Sequence, residues 1–342
     1  MSDTRHPPGP EPALPRPPRR TALTAIGLAV SAGAVGTAAY GSITSASGGG
    51  DLRSSLTIIA PASAGGGWDT CAREMQATQR AGGIVNNTQV LNIPGAGGTI
   101  ALGNLAGLSG RPETIMVGGT GQLAATIQYG SSVTLGDVTP LATIVAEIGV
   151  VVVKADAPYE TLEDLAAAWR EDPTAIPWTG GGSFDQLVVT SLAIAAGVDP
   201  VEMTYISSDG GGEAIQAILN GTAVAATGGY PDNKDLIESG RFRSLALVAE
   251  ERVEGIDMPT TVEQGFDVTL TNWRSLHAPP GITEEDRAEL VAIIQETVAA
   301  PEWEDAVERY SWMRAERYGE ELDAFLADQA EEIAGLYEEM GA

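Results

Sequence analysis

Nine short apolar runs lie between residues 55 and 273, and five of them lead straight into a glycine-rich turn followed by residues at helical spacing. The runs at 55–60, 90–93, 114–117, 144–153, 176–178, 203–206, 222–226, 244–249 and 269–273 read as strands. Segments 69–80, 160–170, 185–196 and 212–219 carry apolar residues three and four apart and read as helices. Strand alternating with helix implies an α/β fold whose parallel sheets are covered on both faces. Ligands of such sheets bind beyond the carboxyl ends of the strands, where helices begin. The glycine clusters fall there: Ala64-Gly65-Gly66-Gly67-Trp68-Asp69, Pro94-Gly95-Ala96-Gly97-Gly98-Thr99, Gly118-Gly119-Thr120-Gly121, Thr179-Gly180-Gly181-Gly182-Ser183 and Ser208-Asp209-Gly210-Gly211-Gly212-Glu213. Without Cβ atoms, backbone N–H groups can come close to a ligand, and the helix dipole makes these positions suit anions without any lysine. Asp69, Ser183 and Asp209 suit helix N-caps as well as ligand contacts.

Charge narrows the function classes. The chain of 342 residues has 46 Asp and Glu against 19 Lys and Arg, a net charge of -27. Such a surface cannot neutralise a phosphate backbone, and anionic membranes repel it. Cys71 is the single thiol, so no internal disulfide forms, and one Cys with two His cannot complete a zinc site. No metal and no cofactor are expected. Four of the 19 basic residues, against two acids, sit in an N-terminal leader. Residues 1–20 are Pro-rich and end in Arg16-Pro17-Pro18-Arg19-Arg20, and 21–50 carry no charge at all. Basic, then apolar, then small and polar is the order of a signal peptide, with Thr37-Ala38-Ala39 and Thr44-Ser45-Ala46 as cleavage sites. Two alternatives stand beside it: residues 21–40 are just long enough for a retained anchor, and Arg19-Arg20 also fits a twin-arginine export signal. Either way the working part, 51–342, lies outside the cytoplasm, periplasmic or at the cell surface. Without the leader its net charge is -29, and residues 283–342 hold 18 of its acids against 4 Arg. There Leu290, Ile293, Ile294 and Val298, then Leu322, Phe325, Leu326, Ile333 and Leu336, recur at helical spacing, so the acids mark the wet faces of surface helices.

The run PASAGGGWDTCAR at 61–73, followed by NIPGAGGTIA at 92–101, resembles the N-terminal loops of substrate-binding proteins of tripartite tricarboxylate transporters. Tyr205-Ile206-Ser207-Ser208-Asp209-Gly210-Gly211-Gly212-Glu213-Ala214 with Leu219-Asn220-Gly221, then Trp273-Arg274 with Ala278-Pro279-Pro280-Gly281-Ile282 and Pro301-Glu302-Trp303, continue the resemblance in order. It covers most of 55–340. What it implies is a two-lobed type II periplasmic-binding-protein fold with a hinge of crossing strands near 146–151 and 269–273. Lobe 1 would comprise 51–148 and 270–342, and lobe 2 would comprise 149–269. The resemblance places the carboxylate-gripping loops on Gly65, Gly66, Gly67, Trp68 and Asp69 and on Pro94, Gly95, Ala96, Gly97 and Gly98. The distal end of the ligand would be read by Gly119, Thr120, Gly182, Ser183, Tyr205, Asp209 and Gly210. GGGWD and SDGGGE are similar to tricarboxylate-type members, which implies a citrate-like di- or tricarboxylate, a monomeric receptor and the permease subunits of a tripartite transporter as partners.

Two other readings have a basis in the residues. Gly119-Thr120-Gly121-Gln122-Leu123-Ala124 matches G-x-G-x-x-A after a strand, with Asp137 downstream, as in dinucleotide-dependent enzymes. There is no G-x-S-x-G elbow, and His277, the one histidine beyond the leader, has no adjacent Ser or Cys motif of a hydrolase, so no catalytic residue is expected. A ligand sensor acting on a signalling partner would bind as a transport receptor does.

Overall fold

The structure, a computed structural model, describes residues 51–340 apart from 209 and 254. The expectations for the leader at 1–50 and for Asp209 therefore lie outside the described residues. Two sheets organise the chain. The first holds β1 (Leu56–Ala60), β2 (Thr88–Asn92), β3 (Thr114–Gly119), β4 (Thr139–Glu147), β10 (Asn272–Ala278) and β11 (Met313–Arg317), in the order β11-β4-β10-β3-β1-β2. The second holds β5 (Gly149–Lys154), β6 (Trp178–Gly180), β7 (Tyr205–Ser207), β8 (Ala225–Gly229) and β9 (Phe242–Val248), in the order β7-β6-β8-β5-β9. Within each, the strands followed by glycine turns pair in parallel, β1 with β2 and β3, and β6 with β7 and β8. The strands nearest the crossover, β5 and β10, pair antiparallel to their neighbours.

The apolar run at 144–153 is two strands, not one. The chain leaves the first sheet after Glu147 and joins the second at Gly149, with the buried Ile148 between. It returns to the first sheet at β10, so β4–β5 and the approach to β10 are the crossing strands. One core of buried residues is shared by both sheets: Ile59, Leu102 and Met116 belong to the same apolar cluster as Val151, Trp169 and Trp178. Trp169 and Trp178 meet with ring centroids 4.9 Å apart, which adds about 1 kcal/mol beyond the area they bury.

Ten helices are described. They are α1 (Gly67–Ala81), α2 (Thr99–Ala106), α3 (Thr120–Gln128), α4 (Leu162–Glu171), α5 (Ser183–Ala196), α6 (Gly211–Leu219), α7 (Tyr230–Glu238), α8 (Glu284–Val298), α9 (Pro301–Arg309) and α10 (Gly319–Glu339). The acidic C-terminal helices behave as their spacing implies: Leu290, Ile293, Ile294 and Val298 are buried on α8, and Leu322 and Ile333 on α10. Helix α10 also joins the shared core through Ile333 and Tyr337, while Trp273 at the crossover donates to Gln329 on it at 2.8 Å. Cys71 is fully buried on α1, and burial pushes its thiol up to about 12, so it packs as a small apolar residue. His277 is fully buried on β10 against Ser275 Oγ at 2.8 Å, and burial pushes its imidazole down to about 4, which leaves it neutral at pH 7. No described helix is long and apolar enough to cross a membrane.

Candidate functional site

The ten described helices start in three ways: two behind a threonine cap, two, α9 and α10, behind Ala300 and Tyr318 with no side-chain cap, and six behind glycine. Thr161 caps α4 and Thr283 caps α8, each accepting a hydrogen bond from a backbone N–H of the first turn. Six others, α1, α2, α3, α5, α6 and α7, begin after Gly66, Gly98, Gly119, Gly182, Gly210 and Gly229, with no side-chain cap. A glycine N-cap leaves the first-turn N–H groups without an internal acceptor, so an external anion can supply one. Close approaches bring some of these starts together: a methyl on Gly181, before α5, would stand 2.6 Å from Gly211 N of α6, and one on Gly97, before α2, 3.7 Å from Ser183 Oγ of α5, while the head of α5 also bonds the C-terminal end of α3. Ser183 Oγ, at the head of α5, donates to Gln128 Oε1 of α3 at 2.6 Å, and Gln128 Nε2 donates to Gln186 Oε1 at 3.1 Å.

In the first loop, Asp69 is buried at 2 % exposure and its carboxylate faces the loop. It accepts from the Gly65 N–H at 2.7 Å, Arg73 Nε at 2.9 Å and Asn92 Nδ2 at 2.8 Å, which joins the loops after β1 and β2. Burial opposes its charge, but the bonds from Arg73, Gly65 and Asn92 outweigh it and hold the carboxyl below its ordinary range. Asp69→Ala is expected to cost about 1–3 kcal/mol by orphaning those donors, read as a shift in the urea midpoint. Because the folded carboxyl titrates low, that contribution is present above the ordinary 3.8 and is lost as pH falls below it. Equal midpoints for variant and parent at pH 7 would remove the tie between loops.

The other expected positions fall around this loop. Trp68 is half-buried with its Nε1 buried and unpartnered, and the Arg274 guanidinium lies 5.9 Å from its ring centroid. In the second loop Pro94, Gly95 and Ala96 are exposed, while the Gly98 carbonyl accepts from the buried Gln122 Nε2 at 2.9 Å. Thr120 is fully buried; its Oγ1 donates to the Thr271 carbonyl at 2.9 Å and accepts the Trp273 N–H at 3.0 Å, clamping α3 to the start of β10. In the second sheet Gly182 and Gly210 are N-caps of α5 and α6, and Tyr205 on β7 presents a buried, unpartnered hydroxyl.

Sequence reasoning missed the charged floor where the strands cross. Arg274 on β10 and Glu147 at the end of β4 form an ion pair at 2.6 Å, with side chains only 6 % and 13 % exposed. Asn272 Nδ2 and Trp312 Nε1 each donate to Glu147 at 3.2 Å, and Arg274 Nη1 donates to Asn272 at 3.0 Å. A methyl on Gly67 would stand 2.6 Å from Arg274 Nη2, so a side chain there would push the guanidinium away from its place beside Glu147. Asp185 on α5 and Asp232 on α7 complete the group. Burial, with Asp232 and Glu147 adding to it, pushes Asp185 up to about 7. Asp232 is raised too, by the protein packed around it and then by Glu147, with Arg274 opposing, although its side chain is open to solvent. In the sequence Arg274 stands only in the Trp273-Arg274 motif, one residue past the strand expected at 269–273, and nothing local pairs it with Glu147.

The sequence profile of the tripartite tricarboxylate transporter family receptor matches residues 73–342. A UPF0065 protein from the gbd 5′ region of Cupriavidus necator is 24% identical over 262 residues, which is 74% of this chain and 77% of that protein. The crystal structure of a TctC solute-binding protein from Polaromonas, without ligand, is 25% identical with a TM-score of 0.67, covering 83% of this chain and 97% of that one. MatC from Rhodopseudomonas palustris with bound malate has the same fold, at a TM-score of 0.71 and 22% identity over 84% of this chain and 98% of that one. The family is one of solute-binding receptors, as is the Polaromonas protein, rather than of enzymes, and the G-x-G-x-x-A run forms the β3–α3 turn. With two sheets joined by crossing strands and the glycine-capped starts of α1, α3 and α7 beside the crossing, the chain is a solute-binding receptor of the tripartite tricarboxylate transporter family.

Proposed function

We propose that this receptor is exported, captures a small di- or tricarboxylate of citrate-like size between its lobes, and delivers it to the permease subunits of a tripartite transporter. The reading rests on one observation above the rest: six helices start behind glycine with no side-chain cap, and the starts of α1, α3 and α7 lie against Arg274, Trp273 and Glu147 of the crossing strands. Their N–H groups hold a carboxylate without any lysine. The malate bound by MatC supports the ligand class. In this reading the first-lobe loops, Gly65 to Asp69 and Pro94 to Gly98, grip one carboxylate, with Asp69 setting the loop's shape. Gly119, Thr120, Gly182, Ser183, Tyr205 and Gly210 surround the distal end, and the sequence motif alone adds Asp209. The lobes, 51–148 with 270–342 and 149–269, rotate about the β4–β5 and β10 strands, and the Ser183–Gln128 bond across them belongs to the closed form.

A thermal-shift screen of the full-length protein against citrate, malate and adipate, with amino acids and sugars beside them, tests the ligand class. A true ligand at a hundred times its Kd adds about 2.7 kcal/mol of stability. A rise in melting temperature with a carboxylate is the expected result. A rise with a sugar alone would overturn the reading.

A further inference from the structure

An anion site should not be lined with unpaired acids, yet this one is. Arg274 is the cation of the floor, and Glu147 already neutralises it at 2.6 Å. That leaves Asp185 and Asp232. Asp185 sits in the first turn of α5, and among the described residues only the Gly181 N–H, at 2.6 Å, donates to its carboxylate. Its neighbour Tyr205 keeps an unpartnered buried hydroxyl, and a methyl on Gly180 would stand 2.9 Å from that Oη and 3.2 Å from Asp185 Cγ. Asp232 Oδ2 lies behind the start of α6, 3.2 Å from where a Gly211 methyl would be.

The charged and titratable groups facing Asp185 are Asp232 on α7, Glu147 on β4, Arg274 on β10 and Tyr205 on β7. One cation against three carboxylates leaves the distal half of the site net negative when all are ionised. A second ligand carboxylate placed there would be repelled, since like charges a few ångströms apart in a partly dry site repel strongly. A single proton reverses this. A protonated acid offers an O–H donor where an ionised one offers only repulsion.

We propose that capture of a dicarboxylate takes up one proton from solvent onto Asp185, which then donates an O–H hydrogen bond to the ligand's distal carboxylate. This rests on the carboxylate reading above. With its carboxyl pushed up to about 7, Asp185 can take that proton near neutral pH at little cost. Asp185 thereby sets specificity: the site favours acids that bring no more negative charge than one proton can offset.

The test is calorimetric titration of the full-length protein with malate and with adipate between pH 5.5 and 8.5, each in phosphate and in Tris. The two buffers differ in ionisation enthalpy, so the difference in heat counts protons. The expected result is uptake approaching one proton at pH 8 and affinity falling roughly tenfold per unit above pH 7. Asp185→Asn, which mimics the protonated acid, should abolish the uptake, flatten the profile and bind at pH 8 at least as tightly as the parent. Binding of either acid with no proton exchange and a flat profile overturns the proposal while leaving the carboxylate reading intact. Unchanged uptake in Asp185→Asn overturns it as well. If only ligands bearing an ammonium group bind, the acids pair with a cation and the proposal fails. If no carboxylate binds at any pH, the carboxylate reading falls and this proposal falls with it. The proton count on the parent protein stands even if the variant does not fold.

Discussion

Replacing Arg274 with Met is expected to destabilise the protein by about 3–5 kcal/mol and to abolish ligand capture. The buried pair with Glu147 does not make the fold stable by its mere presence, because taking both charges out of water costs much of what their attraction returns. The loss comes from breaking it. With Arg274 gone, Glu147 keeps only the Asn272 and Trp312 donors at 3.2 Å while remaining 13 % exposed, an ion without a counter-ion at the crossing of the lobes. The pair also lies under the start of α1, with Arg274 beside the Trp68 ring, so the first-lobe loop loses its support. The double variant Glu147→Gln/Arg274→Met isolates the cause. If the uncompensated charge is the reason, the double change restores most of the stability, and its urea midpoint lies well above that of Arg274→Met. A double variant as unstable as the single one would place the loss in packing instead.

Gly119→Ala is expected to cost about 2–3 kcal/mol and to weaken ligand binding at least tenfold. Gly119 has φ 161, an extended backbone that any residue adopts, so the cost is steric. A methyl there would collide with the Trp273 carbonyl oxygen, on the strand paired antiparallel to β3 with Gly119 opposite Arg274. Because the obstacle is backbone, the two strands must part. That pulls on the Thr120 clamp, whose Oγ1 bonds both Thr271 and Trp273. Gly121→Ala is the control two residues on. A methyl there meets only Trp68 and Phe184 at 3.6 Å or more, inside α3, and replacing a helical glycine stabilises by about 0.5–1 kcal/mol. Denaturation midpoints that fall for Gly119→Ala and hold or rise for Gly121→Ala would separate the collision from the general effect of adding a methyl.

The strands and turns that were legible in the sequence are those whose cause is local. The run SLTIIA at 55–60 became β1, buried almost throughout, and the glycine runs became helix starts because the demands of a tight turn are written in adjacent residues. Strand β11, Met313–Arg317, gave no such signal, since an edge strand with three charged residues out of five has no apolar alternation. The segment 144–153 reads as one strand because nothing in its apolar pattern marks a change of sheet; only the family resemblance points to a crossing near 146–151, and the break at Ile148 exists because its two halves pair with different partners. Glycine loops proved easier to find than the side chains around them. Asp69 looked like a cap or a ligand contact, and whether it turns inward depends on Arg73, Asn92 and the bend of the loop together.

By itself, the sequence determined the α/β class, the placing of the glycine turns at strand ends and, through its motifs, the family, because periodicity and turn chemistry are properties of neighbouring residues. Tertiary structure alone decided the electrostatics of the site. Glu147 and Arg274 are 127 residues apart, and Asp185 and Asp232 come from separate helices; an ion pair, or an acid held near neutrality, depends on distances that only folding brings within a few ångströms.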